Sequence, residues 1–432
     1  MRVLLTGATG FIGRHIAARL IAGGHDVVCC VRNETRAARM FPGQRTITCD
    51  FNRDTRPEAW SPRLAEVDAV VNCVGILQAS RGQSIDAIHT AAPKALYEAC
   101  REIGVRRVIQ ISALGTDEGA GTAYAKTKRA ADAHLQSLDL DWTILKPSLV
   151  YSCAGSYGGT SLFRAMAALP FAVPVVGDGT QTFQPIHMDD LAKGVLRLLE
   201  VPHPPRRVIA ASGPQALSLA EILIALRRWL GMAPVPILRV PPALVDLIAR
   251  LAERLGAPGP VNTTALRMLT YGNAADPDDF IAATGIEPRR FAPALSAQPA
   301  HVQDRWHARM YFLRPLLRLV IGLFWIASGL VALTPGAIER AAPLLREAGV
   351  PDDRFGLALA AGALIDIVLG SLLLIRWRVL LVGCLQLLVT AVYLIWLTIA
   401  DPGLWMNPLG ALTKVLPLVV ATLVMMAIEE ER

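Results

Sequence analysis

The chain opens with Met1-Arg-Val-Leu-Leu-Thr-Gly-Ala-Thr-Gly-Phe-Ile-Gly13, the stretch that decides the fold of the residues after it. Its start, Arg2–Leu5, is predicted to be a short buried strand, and a helix over 11–21 begins inside the glycine run. Glycines three residues apart let the chain turn sharply, let a pyrophosphate approach the backbone and let the helix pack close to the sheet. The helix N-terminus would then face the phosphates with free N–H groups. The stretch therefore predicts a dinucleotide-binding turn built on Gly7, Gly10 and Gly13.

Composition indicates a membrane protein with a globular part. The 432 residues are enough for two or three domains, and 53% of them are hydrophobic. Mean hydropathy is +0.40, and the apolar excess lies after about residue 312. The net charge is +7, but no basic run is interleaved with aromatic residues, so we expect no nucleic-acid partner. Arginines flank the apolar spans instead, which favours a membrane surface.

Cysteine usage and the N-terminus indicate a reducing compartment. The seven cysteines lack the paired spacing of a metal site, so we expect no metal and interpret them as buried free thiols. Cys29 and Cys30 are adjacent on a predicted strand and should point to opposite faces of the sheet. No basic stretch followed by an apolar core and a cleavage site begins the chain, so the glycine-rich part is expected in the cytoplasm.

Strands and helices alternate through the first half of the chain. This order predicts an α/β fold with a doubly wound parallel sheet. The predicted strands are 2–5, 26–31, 46–49, 67–71, 107–111 and 208–211, with helices at 11–21 and 84–103.

The strand ends suggest how a dinucleotide would be held. Arg32 ends the second strand, where NAD-binding sites carry an acidic residue, and Arg36 follows one turn later. A guanidinium matches a 2′-phosphate in charge and geometry, which favours NADP over NAD; the alternative is that Arg32 is a solvated loop residue. After the third strand, Asp50-Phe51 could meet the adenine amine. After the fourth strand, the small loop Asn72-Cys-Val-Gly75 would let the cofactor lie across the strand ends.

A candidate catalytic set follows the fifth strand. Ser112 ends that strand, and twelve residues later comes Tyr124-Ala-Lys-Thr-Lys128. Tyr124 and Lys128 share one face of a helix at i and i+4. A neighbouring ammonium should lower the pKa of the Tyr124 phenol from its ordinary value near 10, and a Ser hydroxyl can hold a substrate oxygen beside it.

Together these motifs resemble the short-chain dehydrogenase/reductase superfamily, whose domain is a Rossmann fold. The later Lys146-Pro-Ser-Leu-Val-Tyr151 and Gln184-Pro-Ile-His-Met-Asp-Asp-Leu-Ala192 are similar to its extended and atypical branches, the nucleotide-sugar epimerase-like and NmrA-like proteins and the branch of the complex I accessory subunit. The resemblance implies catalysis by Ser112, Tyr124 and Lys128. It also implies cofactor contacts from Gly7, Thr9, Gly10, Phe11, Ile12, Gly13, Arg32, Asp50, Phe51, Cys73, Val74, Gly75, Lys128 and Pro147.

The resemblance leaves two functions open. One is an NAD(P)-dependent oxidoreductase or epimerase-like enzyme, with NADP(H) as the expected cofactor, acting on a carbonyl or alcohol of a small or lipid-like substrate. The other is a non-catalytic, dinucleotide-bound scaffold or sensor for a membrane or respiratory partner. Cys73 and Val74 depart from the Ala-Ala or Ala-Gly of many relatives, and no protein partner is identified.

Residues 151–290 should form a substrate or lid region. The stretch 151–181 is predicted to be irregular and to wall the substrate cleft. His187 could be a Zn ligand or an acid/base, whereas Asp189-Asp190 are interpreted as caps of a helix that runs to Glu200. Apolar residues recur at helical spacing across Leu238–Leu255, which could pack in the core, cap a pocket or rest on a membrane.

A linker is predicted at 296–312, and its first part overlaps a Pro-containing stretch, 292–304. Four apolar spans near bilayer-crossing length follow this linker. The region 313–432 resembles the DoxX-like family of four-helix membrane proteins, and the first domain would cover 1–295. Asp366 is costly in lipid and should face the bundle interior, either for function or for bonding to a neighbouring helix. Arginines before the first span and between the second and third place both termini in the cytoplasm, with the protein in the inner membrane. The spans are 316–333, 357–375, 379–399 and 412–428.

Overall fold

The structure is a computed structural model that describes residues 1–77, 82–116, 121–202, 204–254, 263–270, 273–347, 349–408, 410 and 412–429. It divides into two compact units, residues 1–308 and residues 309–432.

The first unit carries the strands. Five precede the candidate catalytic helix: β1 Arg2–Thr6, β2 Asp26–Val31, β3 Thr46–Thr48, β4 Ala69–Asn72 and β5 Arg107–Ile111. The others are β6 Asp141–Pro147, β7 Val150–Tyr151, β8 Val173–Val176, β9 Thr182–Phe183, β10 Ile186–His187, β11 Arg207–Ala211, β12 Leu217–Ser218 and β13 Ile237–Val240.

The helices extend over both units. Those up to the end of the first unit are α1 Phe11–Ala22, α2 Glu34–Met40, α3 Pro57–Trp60, α4 Ala92–Ile103, α5 Ala123–Ser137, α6 Gly159–Ala167, α7 Met188–Glu200, α8 Leu219–Trp229, α9 Pro242–Arg254, α10 Thr263–Thr270, α11 Asp278–Thr284 and α12 Phe291–Ala297. The helix α13 Val302–Ala332 contains the boundary between the units. It is followed by α14 Ala337–Glu347, α15 Phe355–Leu374, α16 Val379–Ala400 and α17 Val415–Ile428.

Seven strands form one parallel sheet in the order β11-β6-β5-β4-β1-β2-β3. The order reverses between β1 and β4, so the carboxyl ends of these two strands flank the crevice where such sheets bind ligands. The α/β doubly wound fold is therefore confirmed. Cys29 and Cys30 lie in the hydrophobic clusters on opposite faces of the sheet, as the strand alternation predicts.

The structure confirms one local prediction in the first unit with an added detail and differs from two others. The helix expected over 84–103 contains a π-helical turn at Ala87–Ala91, because Pro93 has no N–H to donate to the carbonyl four residues earlier. The stretch 151–181 is not irregular, since it holds α6 and β8. The stretch 292–304, expected to be a linker, carries most of α12 and the start of α13, and Leu295 is buried in the core that surrounds α8.

Four large apolar residues of α9 are exposed and do not pack in the core. Leu244, Leu247, Ile248 and Leu251 keep about half of their surface accessible, so the core interpretation is wrong for them. Leu255, which the same pattern includes, lies outside the described residues.

In the second unit, three helices are long and apolar enough to cross a membrane among the described residues: α13, the segment Asp352–Leu374 and α16. The fourth predicted span is shorter than expected, because α17 covers 14 residues, about 21 Å at 1.5 Å per residue. The Glu429 carboxylate, after α17, pairs with Arg314 at 3.5 Å, Arg318 at 3.2 Å and Arg376 at 3.4 Å. The end of α17 therefore meets residues in the middle of α13 and just after α15.

Candidate active site

The glycine turn between β1 and α1 has a geometry that larger residues cannot adopt. Gly7 has φ +68°, a left-handed conformation that favours glycine, and its carbonyl accepts a 2.9 Å hydrogen bond from Gly10 N–H. A Cβ on Gly13 would lie 2.1 Å from the Gly7 oxygen, closer than any real contact. The turn is therefore an open cradle at the start of α1, which fits a dinucleotide pyrophosphate.

Buried polar side chains fix the strand ends around this cradle. Asn72 Oδ1 accepts from Thr6 Oγ1 at 2.5 Å, and Asn72 Nδ2 donates to Gln110 Oε1 at 2.8 Å. Tyr97 also donates its hydroxyl to Gln110 Oε1. Such a network connects β1, β4 and β5 and holds their ends rigidly at the crevice.

Lys128 reaches the loop that follows β4. Its amine donates to the carbonyls of Ile111 at 3.2 Å and Val74 at 3.4 Å. A Cβ on Gly75 would lie 3.2 Å from this amine, so the ammonium occupies the space that a larger residue would need. Burial lowers the pKa of Lys128, against the opposing charge of Asp132. Burial also raises the pKa of the Cys73 thiol to about 12, so this residue stays protonated.

His89 is a site residue that sequence reasoning missed. It lies in the π-helical turn, where Nε2 accepts from Ile76 N–H at 2.9 Å and Nδ1 lies 3.1 Å from Thr127 Oγ1. Burial and the Lys128 charge lower its pKa to about 3, so the ring is neutral. The ring packs edge-on against Tyr124, with centroids 5.4 Å apart. His89 thus joins the loop after β4 to helix α5.

Ser112 bonds to a second residue that the sequence analysis did not identify. Its hydroxyl donates to Asp132 Oδ2 at 2.6 Å, and both side chains are buried. Burial raises the pKa of Asp132, while the Ser112 hydrogen bond and the Lys128 charge lower it. Asp132 stands four residues after Lys128 on the same helix face, so one side of α5 presents Tyr124, Lys128 and Asp132.

The pKa of Tyr124 shifts in the direction opposite to the one expected. Thr122 caps the start of α5 by accepting from Ala125 N–H at 3.1 Å, which places Tyr124 in the first turn. Burial, together with the Asp132 charge, raises the pKa of the phenol to about 12. Without substrate the Tyr124 side chain is therefore a protonated acid at neutral pH.

The other predicted cofactor residues have varied surroundings. Arg32 is exposed at the end of β2. Asp50 is partly exposed and accepts from Asn52 N–H at 3.0 Å, but the Phe51 ring is buried against Trp60, so its side chain belongs to the core. Pro147 is buried at the end of β6. Thr9, Phe11 and Ile12 are partly exposed at the glycine turn, and the Phe11 ring stacks on Tyr157.

His187, Asp189 and Asp190 lie close together, but the two aspartates are already paired with cationic side chains. His187 caps α7 by accepting from Asp189 N–H at 3.2 Å, so the cap is this residue and not the two aspartates predicted. Asp189 pairs with Arg19, Lys193 and Arg289, and Asp190 accepts from Arg289 at 2.7 Å. Although burial acts in the other direction, bonds from these cations hold the pKa of Asp189 below its usual range. The arrangement is that of a structural ion-pair cluster.

Two parts of the chain match known protein families. Residues 7–161 match the family model described as NAD(P)H-binding, and residues 322–423 match the DoxX-like family. The N-terminal part is thus a Rossmann-fold domain similar to NAD(P)H-binding proteins, and the C-terminal part is similar to the DoxX-like family and carries helices long and apolar enough to cross a membrane.

Curated relatives share the first part of the chain. Photosystem II assembly factor Ycf39 of Synechocystis sp. is 27% identical over 232 residues, which covers 54% of this chain and 68% of that protein. NADH dehydrogenase (ubiquinone) 1 alpha subcomplex subunit 9 of Arabidopsis thaliana is 27% identical and covers 45% and 49%, respectively. Ceramide reductase of Caulobacter vibrioides is 26% identical and covers 46% and 61%. The chain thus spans about half to two thirds of these proteins' lengths.

Solved structures show the same fold. The UDP-glucuronic acid 4-epimerase of Bacillus cereus, in complex with UDP-glucuronic acid and NAD, has a TM-score of 0.52 and 20% identity, and covers 72% of this chain and 100% of that chain. The UDP-glucose 4-epimerase of Thermotoga maritima has a TM-score of 0.53 and 17% identity, with 69% and 97% covered.

Proposed function

We propose that this protein is a membrane-anchored NAD(P)-dependent oxidoreductase of the short-chain dehydrogenase type that acts on a carbonyl or alcohol of a lipophilic substrate. One observation carries the proposal. The glycine cradle after β1 and the Lys128 amine beside the loop after β4 flank the point where the strand order reverses. A dinucleotide lying across that point would place its pyrophosphate at α1 and its nicotinamide near α5.

The side chains of α5 supply the proton chemistry. When bound, the dinucleotide supplies a hydride to the substrate carbon. The Tyr124 phenol, protonated because its pKa is about 12, gives its proton to the substrate oxygen. Lys128 holds positive charge beside the loop after β4, and Ser112 borders the substrate oxygen while its own hydroxyl bonds to Asp132. The protonated Tyr124 phenol favours reduction of a carbonyl to an alcohol.

Arg32 supports a preference for NADP(H). It is exposed at the end of β2, where a guanidinium can form paired hydrogen bonds with a 2′-phosphate. A carboxylate at that position would bind the ribose hydroxyls of NAD instead.

A lipophilic substrate is favoured by the exposed apolar residues of α9 and by the membrane helices in the same chain. The name of one relative, ceramide reductase, is that of an enzyme acting on a lipid. The first unit would face the cytoplasm, because Arg314, Arg318 and Arg376 gather at the end of the helix bundle where Glu429 lies.

A second function, a dinucleotide-bound scaffold without turnover, has its own support. The Ser112 hydroxyl is already donated to Asp132, and the Lys128 amine is already bonded to two carbonyls. Two relatives are named as an assembly factor and as a subunit of a larger complex.

Calorimetric titration of the purified full-length protein with NADPH tests the proposal. Gly13→Ala places a Cβ against the Gly7 carbonyl and should abolish binding. Gly159→Ala, whose Cβ would meet nothing within 4 Å, is the matched control and should bind as the wild type does. Absence of NADPH and NADH binding by the folded wild-type protein would overturn both functions.

A further inference from the structure

Three of the polar side chains buried inside the apolar helix bundle of the second unit lie near one level of it. They are Trp325 on α13, Asp366 on α15 and Gln386 on α16, with 4%, 6% and 1% of their surface exposed. We call them the bundle polar cluster. None of them belongs to the dinucleotide site described above.

The three helices place the cluster at one level of the bundle. Gly322 and Gly370 meet where α13 crosses α15, and Gly329 meets Ala363 two turns further along. This antiparallel register puts Trp325 level with Asp366. The Trp325 ring also packs in one buried cluster with Leu369 on α15.

Helix α16 places its member of the cluster, Gln386, close to the same level. The Tyr393 hydroxyl lies beside Gly362, so the antiparallel register of α15 and α16 puts Gln386 about one helical turn from Asp366 in height. Val382, one turn from Gln386, packs in the same buried cluster as Trp325.

Each member carries a polar atom that has no hydrogen-bond partner in the described part of the chain. These atoms are Trp325 Nε1, Asp366 Oδ1, and both Oε1 and Nε2 of Gln386. Asp366 is held from one side only, because its Oδ2 accepts from Ser328 Oγ at 2.9 Å. A polar atom buried in an apolar bundle without a partner is strongly disfavoured, so the cluster calls for a molecule that supplies the missing bonds.

The hydrogen-bond donors and acceptors among the four atoms indicate which chemical group that molecule would carry. Trp325 offers a donor, Asp366 offers an acceptor, and Gln386 offers both. A hydroxyl group is itself both donor and acceptor. The surrounding side chains, among them Ile321, Leu369 and Leu373, are apolar and would contact a hydrocarbon chain.

We propose that the bundle polar cluster binds the hydroxyl group of a membrane-soluble alcohol whose hydrocarbon chain lies among the apolar side chains of the bundle. The site is independent of the proposed reaction. It uses no residue of the dinucleotide domain and is predicted to remain if that domain proves non-catalytic.

Photolabelling of the full-length protein in lipid nanodiscs tests the proposal. The probe is a hexadecanol that carries a diazirine in its chain, and the matched probe is its methyl ether, which cannot donate a hydrogen bond. We expect the alcohol to label peptides of α13, α15 or α16, and to label them about tenfold more than the ether does. Unlabelled hexadecanol should compete.

Gln386→Leu removes a donor and an acceptor at similar size and should lower alcohol labelling about tenfold. Thr422→Val is the control, because the buried Thr422 hydroxyl is already donated to the Leu418 carbonyl of its own helix. If Gln386→Leu does not elute as a single species, Trp325→Phe, which removes the indole donor together with part of the ring, replaces it. Equal labelling by alcohol and ether, or full labelling of a well-folded variant, would mean that water or lipid chains fill the space and would overturn the proposal.

Discussion

Ser112 Oγ donates a 2.6 Å hydrogen bond to Asp132 Oδ2, and both residues are buried beside Lys128. The bond occupies the hydrogen of the Ser112 hydroxyl, so this hydroxyl can accept a bond from substrate more readily than it can donate one. Asp132 also keeps a buried oxygen, Oδ1, that has no partner among the described residues. Asp132 therefore affects the site through its hydrogen bond with Ser112 and through its charge near Lys128.

The first prediction concerns the charge of Asp132. This charge raises the pKa of Lys128 against the lowering effect of burial, so Asp132→Asn should lower the Lys128 pKa further. As pH rises, the variant should lose the ammonium, and with it NADPH affinity, at a lower pH than the wild type. Fluorescence titration with NADPH across alkaline pH measures the midpoint. Asp86→Asn, on the exposed surface, is the control, and superimposable curves for all three proteins would contradict the prediction.

The second prediction concerns cofactor choice. Arg32→Asp should lower NADPH affinity and narrow or reverse the preference over NADH, because a carboxylate repels the 2′-phosphate and accepts from ribose hydroxyls. Calorimetry with both cofactors gives the two affinities. Arg39→Asp changes the charge equally on the exposed side of α2 and should leave the ratio unchanged. An affinity ratio that Arg32→Asp does not move would show that this residue is only a solvated loop side chain.

A third prediction concerns stability. Arg289 donates to the buried Asp190 carboxylate from Nε at 2.9 Å and from a terminal nitrogen at 2.7 Å. Arg289→Met leaves that carboxylate without its counter-ion and should lower the free energy of unfolding by about 3–5 kcal/mol. Arg207→Met breaks an exposed pair with Asp279 and should cost less than about 1 kcal/mol. Thermal unfolding of the full-length protein in detergent compares them, and equal melting temperatures would contradict the assignment of the cluster as structural.

The fourth prediction is topology. Glu429 meets Arg314, Arg318 and Arg376, which indicates that α17 returns the chain to the level at which α13 enters the second unit. We expect both termini in the cytoplasm, although α17 is short and the final residue, Arg432, lies outside the described residues. Cysteines introduced at 305 and 432 in a cysteine-free protein should both resist an impermeant thiol reagent in intact cells. Labelling at 432 alone would show that α17 does not cross.

The sequence predicted the features that local spacing determines. The glycine turn, the alternation of strands and helices, and the pair Tyr124 and Lys128 each follow from steps along one element. Bonds between distant segments were not predictable in this way. Asp132 is twenty residues from Ser112, and its single signal was its place one turn after Lys128 on the same face. His89 could have been noticed because Pro93, four residues later, disturbs the helix around it.

The pKa of Tyr124 shows why residue spacing alone misjudged the electrostatics. Sequence spacing indicates that an ammonium is near, but it does not show how strongly the phenol is buried or that Asp132 faces it. In the structure, burial together with Asp132 raises the Tyr124 pKa to about 12. The apolar residues of α9 are a similar case, because periodicity alone does not distinguish a core face from an exposed one.

The central claim, hydride transfer with Tyr124 as the proton donor, is tested most directly by isotope tracing. The full-length protein is incubated with a lipid extract of its source membrane and NADPH deuterated at either face of nicotinamide C4, and all products are analysed by mass spectrometry. We predict deuterium in an alcohol product, and a rate lower by about 10²–10⁴-fold in Tyr124→Phe, which still binds NADPH. Transfer from neither labelled cofactor by a protein that binds NADPH, or undiminished transfer by Tyr124→Phe, would contradict the account.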